Sequence, residues 1–233
     1  MLSPGHDALP EAKRTLTRAT RTSSLCDPFL SVVPVTGAAI SVLVPASAQT
    51  TICSSDETAA RLDELQFDLG EGPCWQSLAL RTPVFSADLR NDPHGEWPMF
   101  AAAVRSAPVA DEVGAMYAFP LFIGSLDIGA VDLYSHEARD LTPVEVEDGR
   151  DLAKVVTWQV IRRMLGEYDD TGLGGSPHSR REVHQATGMV LAQLDISAAD
   201  AAVLLKAHAF STGRSVNDIA ADVIERRLTF LTE

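Results

Sequence analysis

Ser179-Arg180-Arg181-Glu182, Ser197-Ala198-Ala199-Asp200 and Ser215-Val216-Asn217-Asp218 share one design, a serine followed three places later by an acid. A serine at N-cap accepts a hydrogen bond from an orphan N–H of the first helical turn, and an acid at N3 reaches back to the cap and suits the positive end of the helix dipole. Glu182 completes a capping box, and the two aspartates are shorter relatives of it. Behind each cap, apolar residues recur at helical spacing. The first run is Val183, Ala186 or Thr187, Val190, Leu191 and Leu194. The second is Ala201, Leu204, Leu205 and His208, and the third Ile219, Ala220, Val223, Ile224 and Leu228. Residues 179–233 are therefore expected to form three short helices joined by tight turns. Gly188 falls in mid-helix, where glycine costs about 1 kcal/mol against alanine. Its presence predicts the close approach of another helix.

Val183-His184-Gln185-Ala186-Thr187-Gly188-Met189-Val190, the run Leu204 to Arg214 and the run Asp218 to Leu228 resemble the ANTAR domain, the RNA-binding module of transcription antitermination regulators. The resemblance implies a three-helix module that pairs as a dimer and binds tandem hairpins in nascent transcripts, preventing formation of a terminator. Side-chain chemistry agrees with that expectation. Loop bases of a hairpin can be splayed out and read by polar and basic groups, and helix N-termini favour phosphate. The candidate RNA-binding residues are Arg180 and Arg181 at the start of the first helix, Gln185 and Thr187 on its polar side, Lys206 on the second, and Arg214 at the entry to the third. Gly213 is expected to end the second helix in a left-handed turn.

The chain has 233 residues, enough for two small domains, each with its own core. Its net charge of −13 is unevenly spread. Residues 1–24 carry four basic and two acidic side chains and residues 176–233 six and seven, which leaves −14 on the middle of the chain. Such a body repels phosphate at a distance and opposes indiscriminate nucleic-acid binding, while leaving room for a specific basic site. No secretory leader is discernible, and the most apolar window, Val113 to Tyr134, holds Asp127 and Asp132 and reads as two strands. A cytoplasmic location without membrane contact is expected. Cys26, Cys53 and Cys74 are widely spaced without a CxxC, so reduced thiols are expected. The six histidines show no zinc spacing, and neither a metal nor a cofactor is called for.

Ahead of the three helices the texture is mixed. Asp7 to Ser24 reads as a helix, with Pro28 and Pro34 interrupting regular structure after it. Strands are expected at Ala38 to Val44, Thr50 to Cys53, Val84 to Asp88, Gly114 to Phe122 and Gly129 to Tyr134, the last two forming a hairpin. Helices are expected at Glu57 to Leu65, Cys74 to Leu80 and Trp97 to Ala107. Gly70 and Gly72 are expected to close a helix. Thr142-Pro143-Val144-Glu145 opens a long helix whose stripe, including Val156 and Val160, is continuous enough to serve a partner helix. Asp169 to Pro177 reads as a linker, with Pro177 stopping helix.

Asp63 to Cys74, Pro83-Val84, Asp88-Leu89, Trp97-Pro98, Phe119-Pro120-Leu121 and Ile128 to Tyr134 resemble the GAF domains fused to ANTAR in actinobacterial regulators. The fold expected is α+β: an antiparallel sheet flanked by helices, followed by the all-α three-helix module. The expected divisions are an N-terminal helix (1–24), a GAF sensor and dimerisation domain (25–166), a Gly-rich linker (167–178) and the ANTAR domain (179–233). GAF domains sense small molecules or redox state without sharing one ligand. Cys74, Trp75, Trp97, Tyr117 and Phe119 are the candidates to line a pocket for an unidentified small molecule. No catalytic residue is assigned. The chain reads as a homodimeric, non-enzymatic antitermination regulator. One alternative is a DNA-binding regulator with a GAF ligand sensor, because three short helices also describe a helix-turn-helix variant. The other is a GAF-type thiol reductase using Cys53 and Cys74.

Overall fold

A computed structural model of the chain describes residues 5–43, 50–91, 95–169, 177–212 and 214–231. It divides into two compact units, one of Met1–Leu43, Gln49–Leu121 and Ile128–Gln159, the other of Val44–Ala48, Phe122–Asp127 and Val160–Glu233. The expected linker falls largely at 170–176, outside the described residues.

The first unit is built on an antiparallel sheet of five strands: β1 (Gly37–Val42), β2 (Thr50–Ser54), β3 (Val84–Ser86), β4 (Ala115–Ile123) and β5 (Leu126–Ser135). The order is β2-β1-β5-β4-β3, so the sheet is α+β in class with β2 and β3 at its edges. Ala39 pairs with Asp132 and Ser41 with Ala130, which puts these four side chains on one face, because side chains alternate along a strand. Three helices cover that face: α3 (Glu57–Leu69), α4 (Pro73–Leu80) and α5 (Pro98–Ser106). Their core joins Ala39, Leu62, Trp97, Phe100, Met116 and Tyr134. A smaller cluster of Leu43, Cys74, Leu78 and Ala130 adjoins it under α4.

The expected opening helix is shorter than its sequence suggests, α1 (Leu9–Thr17), and a second helix that was not expected, α2 (Asp27–Val32), follows it. Pro28, read as a breaker, instead occupies the first turn of α2, where its fixed φ suits the helix and its missing N–H has no intrahelical acceptor to lose. The α6 helix (Pro143–Asp169) opens with the expected capping box, for Glu145 accepts from Thr142 N at 2.8 Å and Thr142 Oγ1 accepts from Glu145 N at 3.3 Å. Lys13 Nζ meets Asp151 at 2.6 Å and His6 Nδ1 meets Asp148 at 2.9 Å, tying the N-terminal segment to α6. Val156 and Val160, expected on a face free for a partner, are both fully buried within the single chain.

The second unit contains α7 (Pro177–Leu194), α8 (Ala198–Thr212) and α9 (Val216–Ile224), the three expected helices. All three pack on one another, with Ala186, Val190, Leu204, Leu205, Ile219 and Val223 buried. Ser197 and Ser215 cap as read: Asp200 N and Asp218 N each donate to their serine at 3.1 Å, and Ser215 with Asp218 forms a full capping box. The first cap is displaced. Pro177 begins α7 rather than ending a helix, so Ser179 lies inside it.

Gly188 overturns its expectation. A Cβ built there meets nothing within 4 Å, and the residue is exposed, so no helix among the described residues presses on it. Gly188→Ala is accordingly expected to stabilise the second unit by about 1 kcal/mol, the helix-propensity difference, measured by chemical denaturation. A loss of stability would show that the space at Gly188 is filled in solution.

Candidate functional site

Exposed His184, Gln185, Gly188 and Ala192 follow one another along one side of α7. Thr187 does not join them. It is 9% exposed, and its hydroxyl donates to the Val183 carbonyl at 2.7 Å, so it belongs to the packed side of its own helix. Arg180 and Arg181 lie in α7, but their side chains fall outside the described residues. Lys206 is half-buried on α8.

Arg214 stands between α8 and α9. Its N–H donates to Ala209 O at 3.0 Å in the wrap that ends α8, while Gly213, expected to make this turn, lies outside the described residues. The guanidinium does not point at free N–H donors of α9, as its position suggested. It pairs with Asp222 at 2.6 Å, and Arg227 reaches the same carboxylate at 2.7 Å. Hydrogen bonds from Arg214 and then Arg227 hold the Asp222 carboxyl below its ordinary range. Arg227 also bridges Glu225. The result is an exposed cluster in which two arginines are held in place by acids of the third helix. Beneath it His208 stacks edge-on against buried Phe230, ring centres 5.4 Å apart. Burial, and then the Arg214 charge, depress the His208 pKa, and its Nδ1 has no hydrogen-bond partner. This is a packing histidine held neutral.

The five residues expected to line one sensor pocket are separated by the sheet. Cys74 and Trp75 lie with Leu43 and Leu78, and Trp97 packs in the neighbouring cluster with Phe100 and Met116. Tyr117 and Phe119 alternate with Met116 along β4 and so face the other side, where both stack on Phe85 and the Phe119 ring lies against Gly149 of α6. Tyr117 donates its hydroxyl to Arg139 O at 2.7 Å, and burial raises its pKa to about 12. These aromatics are core.

A polar group missed in the sequence sits inside the helix-covered face instead. Asp63, on α3, is fully buried; Ser41 Oγ donates to it at 2.6 Å, and Thr51 Oγ1 donates to its other oxygen. Asp132, on β5, accepts from Gln66 Nε2 at 3.0 Å, while its second oxygen has no partner. Gln66 uses its carbonyl oxygen to accept from Cys74 N at 2.9 Å, linking α3, α4 and β5. Two glycines make the link possible. Gly70 closes α3 at φ 59°, and Gly72, at φ 144°, has Gln66 where a Cβ would be. Burial first, and then the charge of Asp63, push the Asp132 carboxyl well above its usual range; burial likewise raises Asp63 against the pull of its two hydroxyl donors. The adjoining void, lined by Ala39, Leu62, Met116 and Asp132, has no room for a water molecule. Among the described residues no group of three or more metal-ligating side chains occurs.

The sequence matches the family model of the GAF domain over residues 16–157 and that of the ANTAR domain over residues 173–224. The chain belongs to the GAF family and carries a C-terminal ANTAR domain. Both are regulatory modules. Among solved structures it is similar to the GAF domain from Acinetobacter phosphoenolpyruvate-protein phosphotransferase, at 10% identity and TM-score 0.52, over 75% of this chain and 100% of that one. It is also similar to free methionine-R-sulfoxide reductase from Neisseria meningitidis (12% identity, TM-score 0.46, 71% and 97% coverage). A third is the GAF domain/HD domain protein from Geobacter sulfurreducens (15%, 0.43, 69% and 97%). No curated protein matches the sequence.

Proposed function

We propose that the chain is a homodimeric, cytoplasmic antitermination regulator that binds hairpins in nascent RNA through its ANTAR domain, with the GAF domain as signal input and dimerisation unit. The observation that carries this reading is the pairing of a GAF domain with an ANTAR domain in one chain. The second unit supports it. Gly188 keeps an open place on α7 beside Gln185, and Arg214 and Arg227 are fixed at the start and end of α9. A glycine retained against its helix cost, with no neighbour among the described residues, suits a surface approached closely from outside. No single helix among the described residues is long and apolar enough to cross a membrane.

Homodimer pairing through Val156 and Val160 is not part of the proposal, since both are buried in one chain. Two ANTAR domains on two linked hairpins would gain by effective concentration. The test is a titration of full-length protein into a tandem-hairpin RNA, a single hairpin and a duplex DNA of matching sequence. Preference for the tandem RNA supports the reading. Preference for the DNA would transfer it to the DNA-binding alternative.

A further inference from the structure

Cys26 and Cys53 form a disulfide across 27 residues, with Cα atoms 6.3 Å apart, where reduced thiols were expected. Cys26 is fully buried at the N-cap of α2, and Cys53 is half-buried on β2, an edge strand. A bulge between Ile40 and Ser41 shapes what β2 can hold. Cys53 stands opposite Ile40 and Thr51 opposite Ser41, so one short strand reaches α2 through Cys53 and Asp63 through Thr51. Just past Cys53, Asp56 caps α3 by accepting from Ala59 N at 2.8 Å, and it also accepts from the Tyr134 hydroxyl at 3.1 Å. The disulfide therefore lies between the two polar anchors that fasten β2 and α3 over the sheet. The third cysteine is no competitor. Cys74 is fully buried, and burial followed by Asp132 and Asp63 pushes its thiol well above the ordinary range, which starves it of thiolate.

We propose that the Cys26–Cys53 disulfide is a reversible redox site, reduced by small thiols through Cys53, whose state sets how firmly β2 is held. The idea that it senses rather than merely staples rests on the RNA reading, because nascent transcripts occur in a reducing compartment where lasting disulfides are rare. The thiolate of a small thiol attacks Cys53 Sγ, the Cys26–Cys53 bond breaks, and Cys26 leaves as a thiolate and takes up a proton. A second thiol attacks the added sulfur, forming the reductant's own disulfide and releasing Cys53 as a thiol. The protein gains two electrons and two protons, and two small thiols become one disulfide. A small disulfide reverses both steps.

The experiment equilibrates the full chain in glutathione buffers of graded reduced-to-oxidised ratio. It counts alkylated cysteines by mass spectrometry and follows amide hydrogen exchange. One alkylated cysteine after denaturation is expected in the oxidised form and three in the reduced form, interconverting on return to the first buffer. Reduction is expected to speed exchange severalfold across residues 50–59 and to lower the melting temperature by roughly 5–10 °C, as loss of a loop-closing bridge of this length implies. Cys26→Ser/Cys53→Ser should behave like the reduced wild type in both buffers. A pair that stays fully reduced in oxidised glutathione, or exchange at 50–59 indifferent to redox state, overturns the proposal. Tandem-hairpin binding is measured on both forms as a separate arm. RNA ignored by both forms would defeat the RNA reading, whereas the redox site stands or falls on the thiol count and the exchange.

Discussion

Asp132→Asn is expected to make the protein more stable at pH 7, by about 1 kcal/mol or more, because the folded state then no longer has to bury a carboxylate or hold it protonated. The side chain is 4% exposed, one oxygen has no partner, and its neighbour in charge is another buried carboxylate, Asp63. Asparagine keeps an acceptor for Gln66 Nε2 and discards the charge. The sign follows from the raised folded-state pKa. Below the unfolded pKa of about 3.9 both states are protonated and the charge costs nothing. As pH rises above that value the unfolded chain releases its proton while the folded one retains it, so wild-type stability falls until the folded pKa is passed. The gain from Asn should therefore be small near pH 4 and grow toward neutrality in urea denaturation curves. A variant less stable than wild type at pH 7 would show that the charged Asp132 is compensated by a group the fold does not display.

Arg214→Ala is expected to weaken hairpin binding tenfold or more, since loss of a charge-assisted contact costs about 1.5–3 kcal/mol. Asp222→Asn is expected to strengthen it. Both arginines lean on Asp222, and removing that charge leaves two cations facing the RNA and steepens the salt dependence. The pair of variants separates reading from packing. If Asp222→Asn weakens binding as much as Arg214→Ala, the carboxylate positions the arginines and their fixed geometry matters more than net charge. If neither variant changes affinity, the RNA surface lies elsewhere on the module.

Elements with a local cause were readable in the sequence. The Ser197 and Ser215 caps, the Thr142–Glu145 box and the Gly70 helix stop each depend on residues within a turn of one another. Proline misled twice, at Pro28 and Pro177, because a residue that ends one helix is equally suited to begin the next. The sensor set failed for want of register. Whether Tyr117 shares a face with Trp97 depends on strand alternation and helix placement, neither of which composition reveals. The disulfide was invisible for a similar reason, as connectivity among three cysteines has no local signal. Asp132 did leave a trace: an acid between Val131 and Leu133 in a mostly apolar strand is rarely buried without a partner.

The central claim, recognition of RNA by the ANTAR domain, is tested most directly by measuring the affinity of the full-length protein for tandem-hairpin RNA alongside Arg214→Ala and matched duplex DNA at one fixed salt concentration. Wild type should bind the tandem RNA at least tenfold more tightly than either Arg214→Ala binds that RNA or wild type binds the DNA. Equal affinity for RNA and DNA, unchanged by Arg214→Ala, would contradict it.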